Sequence, residues 1–422
     1  MFSRLMLMAV AGCTVVRPAE DGPLDMILLG TPTYENAVGR PSEPVQYEMI
    51  SALLPSTAVG LVTNEAGERD AYAAVLEEDY GVDPILLDGL LDIPVPHTDL
   101  WFRDMGGVFV DVTADQGRTK AVVDFGFNGW GYGPFSDAIS LGYYEIDDDV
   151  AAGLADHFGY PVIESAMVTE GGAFDSNGAG TTMYSLQALQ QRNPAMSQEQ
   201  IEAEFLRVLG ATHLLALPVF HPLDRHAVLD GPLHLIEDGV TTTLFNPITV
   251  RHIDVVARFA GPGTILVAQL PQEDVRNNVE QEIHDTLQQA WYFFANQVDQ
   301  DGQPFELVAF PDPGLILDHY SVGDVLWEYM VSLDPPIPEI DPAGGSIALP
   351  AEYINYVVSP TVILVATNAG PARNPRLVGA DAEAAQILSD LYPGREVVQV
   401  DTTVLGIGGG GMHCITQEVS SL

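Results

Sequence analysis

Apolar residues along this chain alternate between short continuous runs and longer stretches where they return every three or four positions. Asp25-Met26-Ile27-Leu28-Leu29-Gly30 and Val59-Gly60-Leu61-Val62-Thr63 are runs of the first kind and predict buried strands, with a helix over Asp70 to Glu78 after them. Strands are predicted over Gly106 to Val112 and Lys120 to Phe127, then a helix from about Ile146 to Phe158. Its start carries Asp147, Asp148 and Asp149, which suit the positive end of the helix dipole. The next helix opens with Ser197 and Gln200 in capping-box spacing and sets Ile201, Phe205 and Val208 on one face. Two further rounds follow: strands at His213 to Val219 and Gly263 to Leu270, then a long amphipathic helix from Glu273 to Asn296. A strand at Thr361 to Ala366, a helix at Asp381 to Leu391 and a strand at Glu396 to Val400 complete the pattern. The rhythm is about five β-rich units, each closing on a helix, without an exact internal repeat. Pro335-Pro336-Ile337-Pro338 reads as a loop rather than a domain boundary.

Of the 422 residues, 47% are hydrophobic, enough for a large core, so the chain is not globally disordered. With 59 acidic and 16 basic residues the formal net charge is -43, and Lys120 is the sole lysine. Such a surface repels nucleic acid and anionic membranes and attracts cations. One active site needs only a few carboxylates, so most of the charge is better matched to solubility in a salty medium than to a cationic substrate. No stretch is long and apolar enough to span a bilayer.

There are two cysteines. Cys13 follows Val10-Ala11-Gly12 and a short apolar run, Leu5 to Val10, with Arg4 ahead of it, which resembles a bacterial lipoprotein signal. On this reading residues 1–22 are a signal and a polar linker (around Arg17 to Pro23), and residues 23–422 form one catalytic domain. The protein would be exported and attached to a membrane through lipidated Cys13, or cytoplasmic if the signal does not function. An acylated Cys13 would leave Cys414 a free thiol, which in an exported protein calls for a chemical explanation.

Four stretches carry candidate chemistry. Cys414 ends a glycine-rich run, Gly406-Ile407-Gly408-Gly409-Gly410-Gly411-Met412-His413-Cys414, where backbone can approach a ligand closely and present a nucleophile. Asp104 sits in Trp101-Phe102-Arg103-Asp104-Met105-Gly106-Gly107, which also fits an ordinary surface ion pair beside a core tryptophan. Glu170 leads Gly171-Gly172 and precedes a hairpin turn at Ser176-Asn177-Gly178. His252 and Asp254 are two apart, so an extended segment would aim them at one face, while a structural His–Asp hydrogen bond fits equally. Together they supply a thiol, an imidazole and three carboxylates. Paired carboxylates grip the planar guanidinium fork, and a thiolate beside them can attack its central carbon.

Trp101-Phe102-Arg103-Asp104, Glu170-Gly171-Gly172, His252-Ile253-Asp254 and Gly409 to Thr416, in that order, resemble the agmatine deiminase and bacterial peptidylarginine deiminase family. The resemblance runs from about Leu29 to Gln417. It implies the α/β pentein fold, five ββαβ-type units around a pseudo-fivefold axis. It further implies a covalent thiouronium route that needs no cofactor or metal. Asp104 and Asp254 would hold the guanidinium from two sides, Cys414 would attack, and His252 would protonate ammonia and then activate water. Glu170 would support binding or orient His252, and Trp101, Gly171 and Gly411 would line the substrate site. Agmatine would give N-carbamoylputrescine, and peptidylarginine would give peptidylcitrulline. Gly107, Val250-Arg251 and Thr98 depart from common family residues, which bears on the substrate rather than the chemistry. An arginine or methylarginine hydrolase, an amidinotransferase and a non-catalytic cation-binding pentein are the alternatives. His221, His226 and His234 fit no zinc spacing and read as a solvent loop, and Tyr353 to Tyr356 as possible pocket lining without a role.

Overall fold

The two opening apolar runs become neighbouring parallel strands, Leu24–Gly30 and Ala58–Thr63, in register from Met26 against Ala58 to Gly30 against Val62. The structure is a computed structural model that describes residues 13–33, 41–115, 117–131, 144–225, 227–246, 250–325, 327–328, 343–350, 353–370 and 375–422. Among these residues the strands form six sheets, and five of them share one plan. An inner strand runs antiparallel to a central strand, and a helix then returns the chain to an outer strand parallel to the central one. The inner strands are Thr416–Ser420, Val108–Ala114, Phe174–Ser176, Ala257–Phe259 and Val357–Val358. Their central partners are Leu24–Gly30, Gly117–Gly126, Thr181–Ser185, Thr264–Gln269 and Val362–Thr367.

This is the five-unit pentein arrangement, and its first unit is closed by the last strand of the chain. The ring brings residues some three hundred positions apart to one axis.

Local signals explain the elements. The helix Asn278–Phe294 is capped by Asn277, whose side chain accepts from the amides of Val279 and Glu280, and it buries Val279, Ile283, Leu287, Ala290 and Phe294. Each of its large aliphatic side chains contributes about 1.5–3 kcal/mol on burial. The predicted capping box of Ser197 and Gln200 is formed, and the hairpin across 177–180 joins two antiparallel strands. Apolar clusters straddle neighbouring units: Leu61 of the first packs in one cluster with Val357 and Leu364 of the fifth.

Three expectations change. The helix expected over 146–158 is two, Tyr144–Asp148 and Val150–Phe158, because Asp147 is buried and accepts from the Thr98 amide while the exposed Asp148 accepts from the Phe127 amide. A further sheet, Leu233–Glu237, Val240–Phe245, Gly345–Leu349 and Ile316–Tyr320, is an addition that the five-unit rhythm does not contain. The segment read as a polar linker is also built into the fold. Thr14–Val16 pairs antiparallel with the strand Val108–Ala114, and Arg17 and the Glu20 side chain are buried behind it. Polar residues can lie there because they neutralise one another. Cys13 is half-buried against a core cluster of the second and third units. Pro335 to Pro338 and His226 lie outside the described residues. Among the described residues no helix is long and apolar enough to cross a membrane.

Candidate active site

Each of the five inner strands is preceded within four residues by a polar side chain that enters one common site: Asp104, Glu170, Asp254, Asn355 and Cys414. His252 joins them from the segment leading to Asp254. The site's side chains are buried, with Glu170 fully so, Asp254 and His252 at 1% and 2% exposure, and Cys414 at 6%.

The nucleophile sits in a turn. A helix over Thr403–Gly408 stops at Gly409, whose φ of 101° only glycine adopts without strain, and the chain turns through Met412 to Ile415. Asn355 braces this turn, its Oδ1 accepting from the amides of His413 (2.9 Å) and Cys414 (3.3 Å). Its Nδ2 donates to Cys414 Sγ (3.3 Å) and to Asp254 Oδ2 (3.2 Å). Asp254 Oδ2 also accepts from His413 Nδ1 (2.7 Å) and lies 4.0 Å from Sγ. Asp254 Oδ1 is buried with no hydrogen-bond partner among the described residues. Burial alone would raise the Asp254 pKa, but His413, His252 and Arg258 together hold it below its ordinary value. A buried, ionised oxygen with no donor is a place for a cation.

The opposite wall is built around His252. Asp224 accepts from three successive amides, Val250, Arg251 and His252, each at 2.6 Å, and forces Arg251 to a φ of 61°. That turn aims the imidazole inward, so His252 and Asp254 share the site through a bend rather than the extended segment expected. His252 Nε2 faces Glu170 Oε2 at 3.5 Å, and Nδ1 lies 3.8 Å from Asp104 Oδ1. Burial would lower the His252 pKa, yet the carboxylates of Asp104, Glu170 and Asp254 outweigh it and push it up to about 9. Glu170 is itself anchored by Arg192, whose Nε donates to Oε1 at 2.9 Å. Burial opposes its ionisation, but Arg192 and His252 bring its pKa down to about 2. Asp104 accepts from Trp130 Nε1 (2.8 Å) and the Gly172 amide (3.4 Å). Burial and the neighbouring Glu170 and Asp254 raise its pKa to about 6, against the pull of His252 and Trp130. Asp254 thus lies beside the thiol, and Asp104 and Glu170 lie beside the imidazole of His252.

The glycines at the site are places where a side chain would not fit. A Cβ on Gly171 would collide with the Arg103 carbonyl, on Gly172 with His252 Nδ1, and on Gly411 with Asn355 Oδ1. Gly171 and Gly411 therefore permit protein groups to approach one another closely. Trp101 packs over Gly408 and Gly410 in the cluster that holds Met412 and Cys414, supporting the nucleophile turn. His221 is no solvent residue: it is buried and paired with Asp312 at 3.1 Å, while His234 is exposed. The two share no ligand position. Lys120, buried and paired with Asp25, is structural.

Sequence patterns gave no role to Arg192, Trp130, Asp224, Glu20 or His413, and placed Asn355 only in a stretch of pocket lining without a role. Only the unit rhythm could have found Asn355, which stands before the fifth inner strand where the other four units place theirs. Glu20, His413 and Glu418 lie within 4.8 Å of one another in a possible cation-binding group. Arg103 and Arg258 already supply positive charge there, donating to Glu20 at 2.9 and 2.6 Å.

A profile of the Porphyromonas-type peptidyl-arginine deiminase family matches residues 16–230 and 233–419. The chain belongs to that family. The match starts ahead of Glu20, so the buried N-terminal segment is part of the family's domain. Among relatives of this deiminase family, a Streptomyces coelicolor protein provisionally assigned as an agmatine deiminase is 32% identical over 349 residues, covering 82% of this chain and 81% of its own. A Streptomyces avermitilis protein with the same provisional assignment is 30% identical over 325 residues, covering 76% and 74%. The solved agmatine deiminase of Enterococcus faecalis superposes with a TM-score of 0.72 at 20% identity, over 98% of this chain and 99% of that one. The C. jejuni agmatine deiminase gives 0.66 at 18% identity over 99% of both chains. These two likenesses carry the fold, which agrees with the five-unit ring.

Proposed function

We propose that this protein is a thiol-dependent deiminase that hydrolyses agmatine to N-carbamoylputrescine and ammonia. The convergence of Cys414, Asp254, Asp104, His252 and Glu170 in one buried site carries this reading, and the Streptomyces relatives support agmatine as the substrate. The guanidinium lies between Asp104 and the unpartnered Asp254 Oδ1, each carboxylate accepting N–H donors from the planar fork. Its charge beside Sγ favours the thiolate. Cys414 Sγ attacks the central carbon, forming a C–S bond and a tetrahedral adduct. His252 gives its proton to the departing nitrogen, the C–N bond breaks, and ammonia leaves a thiouronium on Cys414. His252, now neutral, takes a proton from water, whose oxygen adds to the same carbon. The C–S bond then breaks, releasing the ureido product and the thiolate. Glu170, held by Arg192, keeps the imidazole in place and stabilises its charged form. Guanidinium plus water gives the ureido product plus ammonium, the hydroxyl proton released as the C–S bond breaks being the one that completes ammonium, and no redox partner is needed.

The test is ammonia release from agmatine, free arginine and an internal-arginine peptide, with Cys414→Ser as control. Agmatine is expected to turn over and the serine variant to fall to background. Turnover of the peptide in place of agmatine would move the reading to protein citrullination. Background rates for the unsubstituted protein on all three would sink the deiminase reading for these substrates.

For the N-terminus, our reading is a lipid anchor at Cys13, supported by Val10-Ala11-Gly12-Cys13 after a short apolar run. In a bacterial host given labelled fatty acid, the full chain is expected to take up label and to sediment with membranes. Cys13→Ser should lose both, and label retained in that variant would refute the anchor.

A further inference from the structure

The mechanism above leaves one buried ionic cluster unused, and it lies directly beneath the nucleophile. Glu20, from the segment that reads as linker, meets four donors: Arg17 (3.1 Å) and Arg103 (2.9 Å) at Oε1, and Arg258 (2.6 Å) and His413 Nε2 (2.9 Å) at Oε2. Three of the four reach onward to the reaction centre. His413 is held on its other ring nitrogen by Asp254 Oδ2 (2.7 Å), the carboxylate whose remaining oxygen faces the substrate. The Arg103 amide donates to the Cys414 carbonyl (3.0 Å) and its Nε to the His413 carbonyl (3.3 Å). Arg258 donates to the carbonyls of Tyr356 (3.1 Å) and Ile354 (3.5 Å), the two residues flanking Asn355. One carboxylate therefore meets the braces of the nucleophile turn, its asparagine clamp and the guanidinium-binding aspartate.

Glu20 neutralises Arg17, but neutralisation does not account for its contacts with the two arginines that reach the reaction centre. Glu418 lies 2.6 Å from Arg103 and Asp175 lies 3.7 Å from Arg258, so both arginines have carboxylates without Glu20. His413 keeps Asp254 on Nδ1 in that case, but its Nε2 is paired with Glu20 alone among the described residues. Without that contact the ring is free to turn about its Asp254 hydrogen bond, and Asp254 loses the partner that orients it.

We propose that Glu20 is a positioning residue of the reaction, fixing Asp254 through His413 and thereby making the N-terminal segment part of the catalytic machinery. The proposal rests on the guanidine-deiminase reading for the role of Asp254. In that setting an ångström of freedom in a residue that orients substrate costs on the order of 100-fold in rate.

The test compares two reagents on Cys414 in the full-length protein, read by mass spectrometry of the Cys414 peptide. A haloacetamidine is cationic and needs the aspartates for recognition, whereas a neutral haloacetamide reports only access to the thiol. The unsubstituted protein is expected to prefer the amidine. Glu20→Gln, folded by circular dichroism, should lose on the order of tenfold or more of that preference. Its labelling by the neutral reagent should stay nearly constant. His413→Gln should show the same loss, and the double variant should lose no more than the worse single one, because the two act in series. An unchanged preference in folded Glu20→Gln, or strictly additive losses in the double variant, would overturn the proposal. Should Glu20→Gln not fold, Glu20→Asp decides. Its shorter side chain keeps the charge but cannot span all four donors, so a reduced preference supports the role and an unchanged one refutes it. A protein that prefers the amidine yet turns over no agmatine would refute the substrate and leave this role standing.

Discussion

Replacing His252 by glutamine is expected to lower kcat/KM for agmatine by roughly 10²- to 10⁴-fold, the usual contribution of a general acid–base group. The imidazole is ringed by Asp104, Glu170 and Asp254, which hold its proton up to a pKa of about 9. At neutral pH it is therefore already the acid that ammonia departure requires. The sign of the pH dependence follows. Asp104 must be ionised to hold the guanidinium, so kcat/KM should rise with pH through about 6. His252 must be protonated to act as the acid, so kcat/KM should fall as pH passes about 9. In His252→Gln the alkaline limb should vanish with the rate, while the acid limb near 6 persists in what activity is left. A variant that kept an intact alkaline limb would show that another group is the acid.

The second large effect is expected at Asp254. Asp254→Asn preserves shape but removes the charge whose Oδ1 faces the site without a donor. Leaving a buried cation without its charged partner costs about 2–5 kcal/mol. That corresponds to roughly 30- to 5,000-fold in kcat/KM. With its carbonyl oxygen in the place of Oδ2, the asparagine keeps the contacts from His413 and Asn355 and turns an NH2 donor toward the cation in the place of Oδ1. Steady-state kinetics on agmatine, with neutral haloacetamide labelling of Cys414 as the control for an intact thiol, measures this. A loss below about threefold would mean that Asp254 does not hold the guanidinium.

The residues to which we assign the chemistry were legible because their types are scarce and their surroundings unusual. Cys414 is one of two thiols, and Glu170 and Cys414 are each flanked by glycines that a solvent loop has no need to place so densely. The predicted strands and helices were legible for another reason: Val279, Ile283 and Leu287 recur at helical spacing whatever they pack against. Both kinds of signal are local. What each glycine makes room for was not legible, because a sequence shows that a Cβ is missing and not what occupies its space. Polarity misled in the same way at Arg17 to Glu20 and at Asp147, where charged residues that normally face water are buried against partners far along the chain.

By itself, then, the sequence determined the reacting groups, the five-unit rhythm and the order in which the units meet the site. The tertiary structure alone decided what holds those groups. Glu20 meets His413 across 393 positions and Asn355 meets Cys414 across 59, separations at which no periodicity or spacing rule operates. It also decided the electrical state of the site. A side chain such as His252 has an ordinary pKa in an open chain. Only burial among three carboxylates, each delivered by closure of the ring, turns it into an acid that stays protonated at neutral pH.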